Sequence, residues 1–201
     1  MDGIRKIYPG VVALAGVDFN LHTSEVHVLV GENGAGKSTL IKIVGGVVQP
    51  DAGEVRIDGS PVRMMSAADA QGRGIATIHQ ELALVPQLSV AENLLLGRLP
   101  RRYGIVDRRA TLQQAEELLA RVGSTVDPGR IVGTLGVAHQ QMVEIAKALS
   151  GEVRVLIMDE PTASLSRHET ERLFDLVREL CADGVGVIFI SHHLEEVREI
   201  G

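Results

Sequence analysis

The sequence predicts an α/β fold on a mostly parallel core sheet, and three observations carry that reading. Short β-branched runs alternate with helical stretches, a glycine-rich loop links one run to a helix, and another run ends in two carboxylates. The runs are Val26–Val30, Ile75–Ile78, Val153–Met158 and Val185–Ile190. Continuous rather than alternating apolar sequence marks strands covered on both faces, as in parallel sheets. Leu112, Ala115, Leu118, Leu119 and Val122 recur at helical spacing. So do Met142, Ile145, Ala146 and Leu149, and then Leu173, Leu176, Val177 and Leu180. Ser89 with Glu92 and Ser166 with Glu169 have capping-box spacing. Leu14–Leu21 and Val26–Val30, joined by His22–Glu25, read as a hairpin, and Glu54–Asp58 with Gly59 reads as a strand and turn. A small antiparallel part therefore joins the parallel core. Residues 88–150 hold helix signals without a convincing strand. They read as a helical subdomain inserted into one domain, with an exposed turn at Leu99–Gly104.

Composition narrows the function classes. A chain of 201 residues is long enough to bury a core without disulfides. Hydrophobic residues at 45% and charged residues at 23% are globular proportions and exclude a disordered chain. No apolar run approaches the ~18 residues of a membrane-spanning helix, and no secretion signal opens the sequence. The single cysteine, Cys181, has no internal disulfide partner and fits a reducing compartment. A net charge of −6 and 2% aromatics, with no Trp, argue against a basic nucleic-acid face and base-stacking platforms.

The stretch Gly31-Glu-Asn33-Gly34-Ala35-Gly36-Lys37-Ser38-Thr39 fits the phosphate-loop pattern G-x-x-x-x-G-K-[ST]. Glycines let backbone N–H groups curl round phosphate oxygens with no side chain in the way. The helix beginning near Lys37 turns its positive end to the same anion. Lys37 is placed to reach the β- and γ-phosphates, and the Ser38 hydroxyl to ligate Mg²⁺. Dinucleotide binding is the competing reading of such glycines, and Lys37-Ser38 at this spacing disfavours it.

Val155-Leu-Ile-Met-Asp159-Glu160 reads as a buried strand ending in two acids. At the carboxyl end of a parallel strand Asp159 can hold Mg²⁺ through water or Ser38. Glu160 can then polarise an attacking water. GTP-binding proteins share both elements but need an Asn-Lys-x-Asp reader, and no Asn-Lys pair occurs, so adenine is the better base.

Together these motifs resemble the nucleotide-binding domain of an ATP-binding cassette (ABC) transporter, over almost the whole chain. The chain is similar in particular to the first cassette of bacterial sugar-import ATPases of the ribose, galactose and xylose type. The resemblance implies an ABC-type P-loop NTPase fold, with ATP and Mg²⁺ as ligands. Tyr8-Pro-Gly-Val-Val-Ala-Leu resembles the family opening, whose aromatic stacks on adenine. Ile78-His-Gln80-Glu-Leu resembles the Q-loop, with Gln80 touching Mg²⁺ or water and sensing the membrane subunit. Gln140–Leu149 resembles the helix after the signature, Asp159–Ser166 the acidic strand end and D-loop, and Ile190-Ser-His192 the switch histidine on the γ-phosphate. The partners implied are a second cassette, integral-membrane permease subunits and, indirectly, a periplasmic sugar-binding protein, with no nucleic acid. The place implied is the cytoplasmic face of the plasma membrane.

Two departures bear on function. The family signature, roughly Leu-Ser-Gly-Gly-Gln, reads here Leu135-Gly136-Val137-Ala138-His139. Gly136 lacks the serine hydroxyl, although backbone N–H groups at that helix start can still bind phosphate. Signature residues act on the partner's nucleotide, so the change touches the partner's site. The resemblance implies two cassettes in tandem, and the chain, ending nine residues past His192, reads as a cassette incomplete at both ends. Alternatives stay open: a nucleotide-binding module without competent turnover, an inert piece of a tandem ATPase, or a soluble ABC ATPase of DNA repair or translation.

Overall fold

The computed structural model describes residues 1–32, 34–79 and 82–201. The chain opens with β1 (Asp2–Tyr8), β2 (Val11–Val17) and β3 (Val26–Leu29), then α1 (Lys37–Val44). β4 (Ala52–Ile57) and β5 (Ser60–Val62) form a hairpin across Asp58 and Gly59, at φ 51° and 74°. Two left-handed residues in succession make the turn whose twist matches that of paired strands, and Asp-Gly favours it. Next come α2 (Ala67–Gly72), capped by the Ser66 side chain, and β6 (Ile75–Ile78). The middle holds α3 (Val90–Leu94), β7 (Arg101–Arg102), β8 (Ile105–Val106), α4 (Arg108–Arg121) and α5 (Val137–Ala148). β9 (Val155–Asp159), α6 (Arg167–Ala182), β10 (Gly186–Ile190) and α7 (Leu194–Ile200) follow.

An antiparallel sheet runs β2-β1-β4-β5 and a second sheet runs β3-β10-β9-β6, with β10 parallel to both β3 and β9. Every residue of β10 is buried, as its unbroken apolar sequence predicts for a central strand. The chain divides into two compact units. The first is Met1–Thr77, Val153–Glu160 and Val177–Gly201, and the second is Ile78–Glu152 and Pro161–Leu176. In the first, Ile4, Leu14, Leu40, Ile43, Ile157, Ile188 and Ile190 share one apolar cluster. Burying each fully contributes about 1.5–3 kcal/mol. In the second, α3, α4 and α5 pack together, and Leu94, Ala115, Leu119, Val143 and Ile145 on them are buried.

The capping box at Ser89 and Glu92 forms with both of its bonds. At Ser166 the Glu169 carboxylate accepts from the Ser166 N–H at 2.8 Å. Asn93, fully buried, accepts from the Val85 N–H at 2.7 Å and donates to Val85 O and Ser89 O, both at 3.0 Å. That side chain supplies the backbone partners of the bend before α3.

The structure corrects three expectations. β2 and β3 are not a hairpin: β2 pairs antiparallel with β1, while β3 enters the parallel sheet. β2 exposes Val11 and Val12 and buries Leu14, whereas all four residues of β3 are half-buried and pair with β10. The strand that β2 does pair with, β1, is missed because Arg5 and Lys6 interrupt it and only Ile4 is buried. The helical stretch also carries the small ladder β7–β8, at the turn expected near Leu99–Gly104. Leu112, expected on the inner face of α4, is 41% exposed, and Thr111 is buried instead.

Candidate functional site

Sheet register builds the site. Ile190 pairs with Leu29 on one side and with Asp159 on the other, so β3, β10 and β9 end level. The residues that continue past these ends, Gly31, Glu160 and His192, leave the sheet along one edge. In parallel α/β sheets the carboxyl edge is where ligands bind.

The loop after β3 has the shape that its glycines require. Gly34 and Gly36 lie at φ 90° and 91°. A Cβ on Gly36 would meet the Ala13 carbonyl oxygen at 2.7 Å and Leu14 Cδ2 at 2.9 Å, so β2 forms a wall behind the loop. Gly36 also starts α1 without a side-chain cap. The first N–H groups of the helix therefore keep their positive end for an external acceptor. Lys37 Nζ donates to Gly31 O at 2.5 Å and Glu32 O at 3.0 Å, curling back over the loop. Carbonyl oxygens thus hold two of its three N–H bonds, which phosphate oxygens would accept more strongly. Ser38 is exposed and Thr39 half-buried on the first turn, and Ala35 N–H closes the loop on Glu32 O at 3.1 Å.

Glu160 occupies the left-handed region at φ 49°, rare for a residue with a Cβ. Its N–H donates to Ile190 O at 3.1 Å, which extends the β9–β10 ladder by one bond. The turn sends its carboxylate to His192, with Oε1 3.1 Å from Nδ1. The Glu160 side chain is 21% exposed and that of His192 54%, so the pair is open to a ligand. Such strain, of order 1–3 kcal/mol, persists only where surroundings fix it. Ser191 supports the same turn: its hydroxyl donates to Glu196 Oε2 at 2.5 Å and accepts from the His193 N–H at 2.9 Å.

The donor set suits Mg²⁺. Asp159 and the Ser38 hydroxyl are hard oxygen donors, and this ion takes one or two protein oxygens and completes its shell with water and phosphate. Among the described residues no group of three or more His, Cys, Asp and Glu side chains is placed to hold a metal ion.

The other expected residues lie on further elements of the chain. Tyr8 ends β1, 37% exposed, paired with Val11 two residues before the Ala13 carbonyl, and the Lys6 ammonium lies 5.7 Å from its ring centroid. Gly136 belongs to the second unit, where it starts α5 without a side-chain cap. Gln140 braces that start by donating to Leu135 O at 3.0 Å and Val132 O at 3.2 Å. Asn33 and Gln80 lie outside the described residues.

Sequence reasoning missed one constellation altogether. Lys147 Nζ donates to Ala83 O at 2.7 Å, while the Ala83 N–H bonds the Glu144 carboxylate, so two α5 side chains grip both ends of one loop residue. Glu144 is 6% exposed, and its Oε2 has no partner among the described residues. Burial pushes its carboxyl above the ordinary range. The signal was present: a glutamate between Val143 and Ile145, inside the buried stripe of a helix.

Comparison with known proteins gives consistent results. A family model described as ABC transporter matches residues 14–163. The chain is 64% identical over all its 201 residues to the ribose import ATP-binding protein RbsA 1 of Rubrobacter xylanophilus, covering 40% of that protein. It is 55% identical over 196 residues, 98% of this chain, to the arabinose import ATP-binding protein AraG 1 of Burkholderia lata, covering 39% of it. The chain thus spans about 40% of the length of the curated relatives it matches. Among solved structures, a nucleotide-free ATP-binding cassette from an ABC transporter superposes with TM-score 0.87 at 26% identity, over 99% of this chain and 83% of that one. The dimeric bacterial cassette MJ0796 gives 0.84 at 25% identity, over 98% and 89%.

Proposed function

Because the chain belongs to the ABC transporter family, we propose that it binds and hydrolyses ATP to energise import of a monosaccharide. The observation that carries this reading is the Glu160–His192 pair at the carboxyl edge, held by the β9–β10 register beside the glycine loop. In this reading the loop from Gly31 to Thr39, Asn33 and Ala35 included, wraps the phosphates, Lys37 reaches the β- and γ-phosphates, and Tyr8 takes the adenine. Ser38, Asp159 and Gln80 would hold Mg²⁺, which neutralises phosphate charge when bound. Glu160 orients an attacking water and draws its proton, while His192 holds both Glu160 and the γ-phosphate oxygen. The two compact units are parts of one cassette, the second containing the helical subdomain of residues 88–150. Gly136 presents the start of α5 to the nucleotide of a second cassette. MJ0796, described as a dimeric cassette, supports such a partner.

The names of the relatives, import ATP-binding proteins for ribose and arabinose, support the sugar and the remaining partners: permease subunits and, through them, a periplasmic sugar-binding protein. They support a peripheral position at the cytoplasmic face of the membrane. Glu160→Gln should lower Mg²⁺-dependent ATP turnover by about 10²–10⁴ while nucleotide binding persists. A variant that hydrolyses normally would remove Glu160 from its role. A second reading, nucleotide binding without turnover, draws on the missing side-chain cap at Gly136. ATP binding with no hydrolysis, even with an intact partner cassette supplied, would favour it.

A further inference from the structure

The nucleotide reading leaves one charged feature of the second unit unused. β7 and β8 pair Arg101 with Val106 and Arg102 with Ile105 around Tyr103 and Gly104, which lie at φ 53° and 82°. Two left-handed residues in succession make a tight, rigid turn. All six residues from 101 to 106 are exposed, Tyr103 at 92% and Ile105 at 74%. Arg108 and Arg109 follow as the first residues of α4. Four arginines thus fall within nine residues of a chain whose net charge is −6.

This charge is not absorbed within the chain. Among the described residues, the side chains of Arg101, Arg102 and Arg109 make no hydrogen bond or ion pair, while the Arg102 guanidinium lies 5.5 Å from the Tyr103 ring centroid. The neighbouring acids are Glu92, which feels Arg108, and Asp107, whose carboxylate is taken up capping α4 at the Ala110 N–H. The first turn of α4 contains no acid. A helix start is the positive end of its dipole and disfavours cations, so Arg108 and Arg109 oppose local stability. Together with the helix start they form one concentrated anion-attracting region.

The ladder geometry says what kind of anion fits. Cross-strand partners share a face and adjacent residues alternate. One face therefore carries Arg101 with Val106, and the other Arg102 with Ile105. A flat protein partner would cover one face and leave the other aliphatic side chain in water. A layer of lipid headgroups surrounds a narrow finger on both sides. Guanidinium forks match phosphate oxygens, and Tyr belongs at the boundary between headgroup and acyl chain.

We propose that the Arg101–Val106 hairpin is a membrane-contact finger for anionic phospholipids. Arg101, Arg102, Arg108 and Arg109 bind headgroup phosphates, and Tyr103 and Ile105 reach the acyl boundary. The inference rests on the transport reading only for a place beside the membrane. Each arginine near an anionic surface should change partitioning about fivefold.

The test is sedimentation of the full chain with vesicles of phosphatidylcholine alone or mixed with phosphatidylglycerol, with ATP titrated in parallel. Binding should require phosphatidylglycerol, weaken at ~1 M salt, where screening acts within about 3 Å, and fall roughly 25-fold in R101S/R102S. Tyr103→Asn, which keeps a residue suited to positive φ, should weaken binding by a smaller factor. Equal binding to both vesicles, no binding to either, or an unaffected double variant would overturn the proposal. Arginine-dependent retention on immobilised polyglutamate without vesicle binding would also overturn it, in favour of an acidic protein segment. ATP binding without vesicle binding refutes the finger alone, and vesicle binding without ATP binding refutes the nucleotide reading alone.

Discussion

Replacing Gly36 by alanine should damage the glycine-rich loop before α1 far more than the same change at Gly34. Both residues sit near φ +90°, so each alanine carries the same backbone penalty, about 1–2 kcal/mol. Space separates them. A Cβ at Gly34 meets nothing within 4 Å, whereas one at Gly36 comes within 2.7 Å of the Ala13 carbonyl oxygen and 2.9 Å of Leu14 Cδ2. The Leu14 side chain can yield, but a backbone carbonyl of β2, even at the irregularity where Ala13 lacks a register partner, yields less, and overpacking of this kind costs about 1–3 kcal/mol more. Gly34→Ala should therefore lose about 1–2 kcal/mol and Gly36→Ala about 2–5 kcal/mol. For a chain of this size each kcal/mol lowers Tm by roughly 2–4 °C. Thermal unfolding measures this loss, and titration with a fluorescent ATP analogue reads the displacement of the α1 start, where Gly36→Ala should weaken binding more than Gly34→Ala. Equal losses at the two positions would refute the argument, because they would mean that β2 does not back the loop.

Asn93→Ala should destabilise by about 1–3 kcal/mol in urea unfolding, since it strips partners from the Val85 N–H and C=O at a part-buried bend; a change below about half a kcal/mol would show that water or a local shift replaces them. Glu144 gives a pH dependence of unusual sign. Burial raises its carboxyl above the ordinary 4.5. The folded state therefore keeps a proton that the unfolded chain releases, and stability falls as pH rises from about that value through the raised one. Glu144→Gln should flatten this slope in denaturation measured across the acid range, and an unchanged slope would assign it elsewhere. The opposite sign applies at Glu92, whose bonds from Ser89 hold its carboxyl below the ordinary range. Stability from that group is present above the unfolded value and is lost as pH falls through the lowered one, so Glu92→Gln should reduce the acid sensitivity of the second unit, and an unchanged acid midpoint would argue against it.

Local chemistry made most of the parallel core legible. Ile75–Ile78 is a strand at the residues its sequence suggests, and Gly186–Ile190 and Val155–Asp159 fall within one or two residues of theirs. The glycine-rich turn before α1 was legible for the same reason: its glycines, lysine and serine lie within nine consecutive residues. What escaped depends on distant pairing. Whether β2 turned toward β1 or β3 was decided by a partner strand whose charged residues hide it. The Ala13 carbonyl behind Gly36 is 23 positions away along the chain and carries no side chain to mark it. The grip of Glu144 and Lys147 on Ala83 spans more than sixty residues and joins a helix to a loop without periodicity. Glu160 was found as an acid, but its left-handed backbone, which aims it at His192, left no trace in composition.

The place of β10 between β3 and β9 has a consequence for how the chain is made. β3 pairs with β10 and β9 lies between β10 and β6, so both have a neighbour that leaves the ribosome after them. At translation speeds of ~5–20 residues per second, roughly 8–30 s pass between completion of the phosphate loop and completion of β10. The Val26–Leu29 edge lacks this neighbour throughout that interval and the Val155–Asp159 edge lacks it for the final part, each open to chaperones or to wrong strands. A nascent chain halted before Gly186 would carry Lys37 and Asp159 with no strand to bring them level. Synthesis thus delivers the site as a single late event rather than piece by piece.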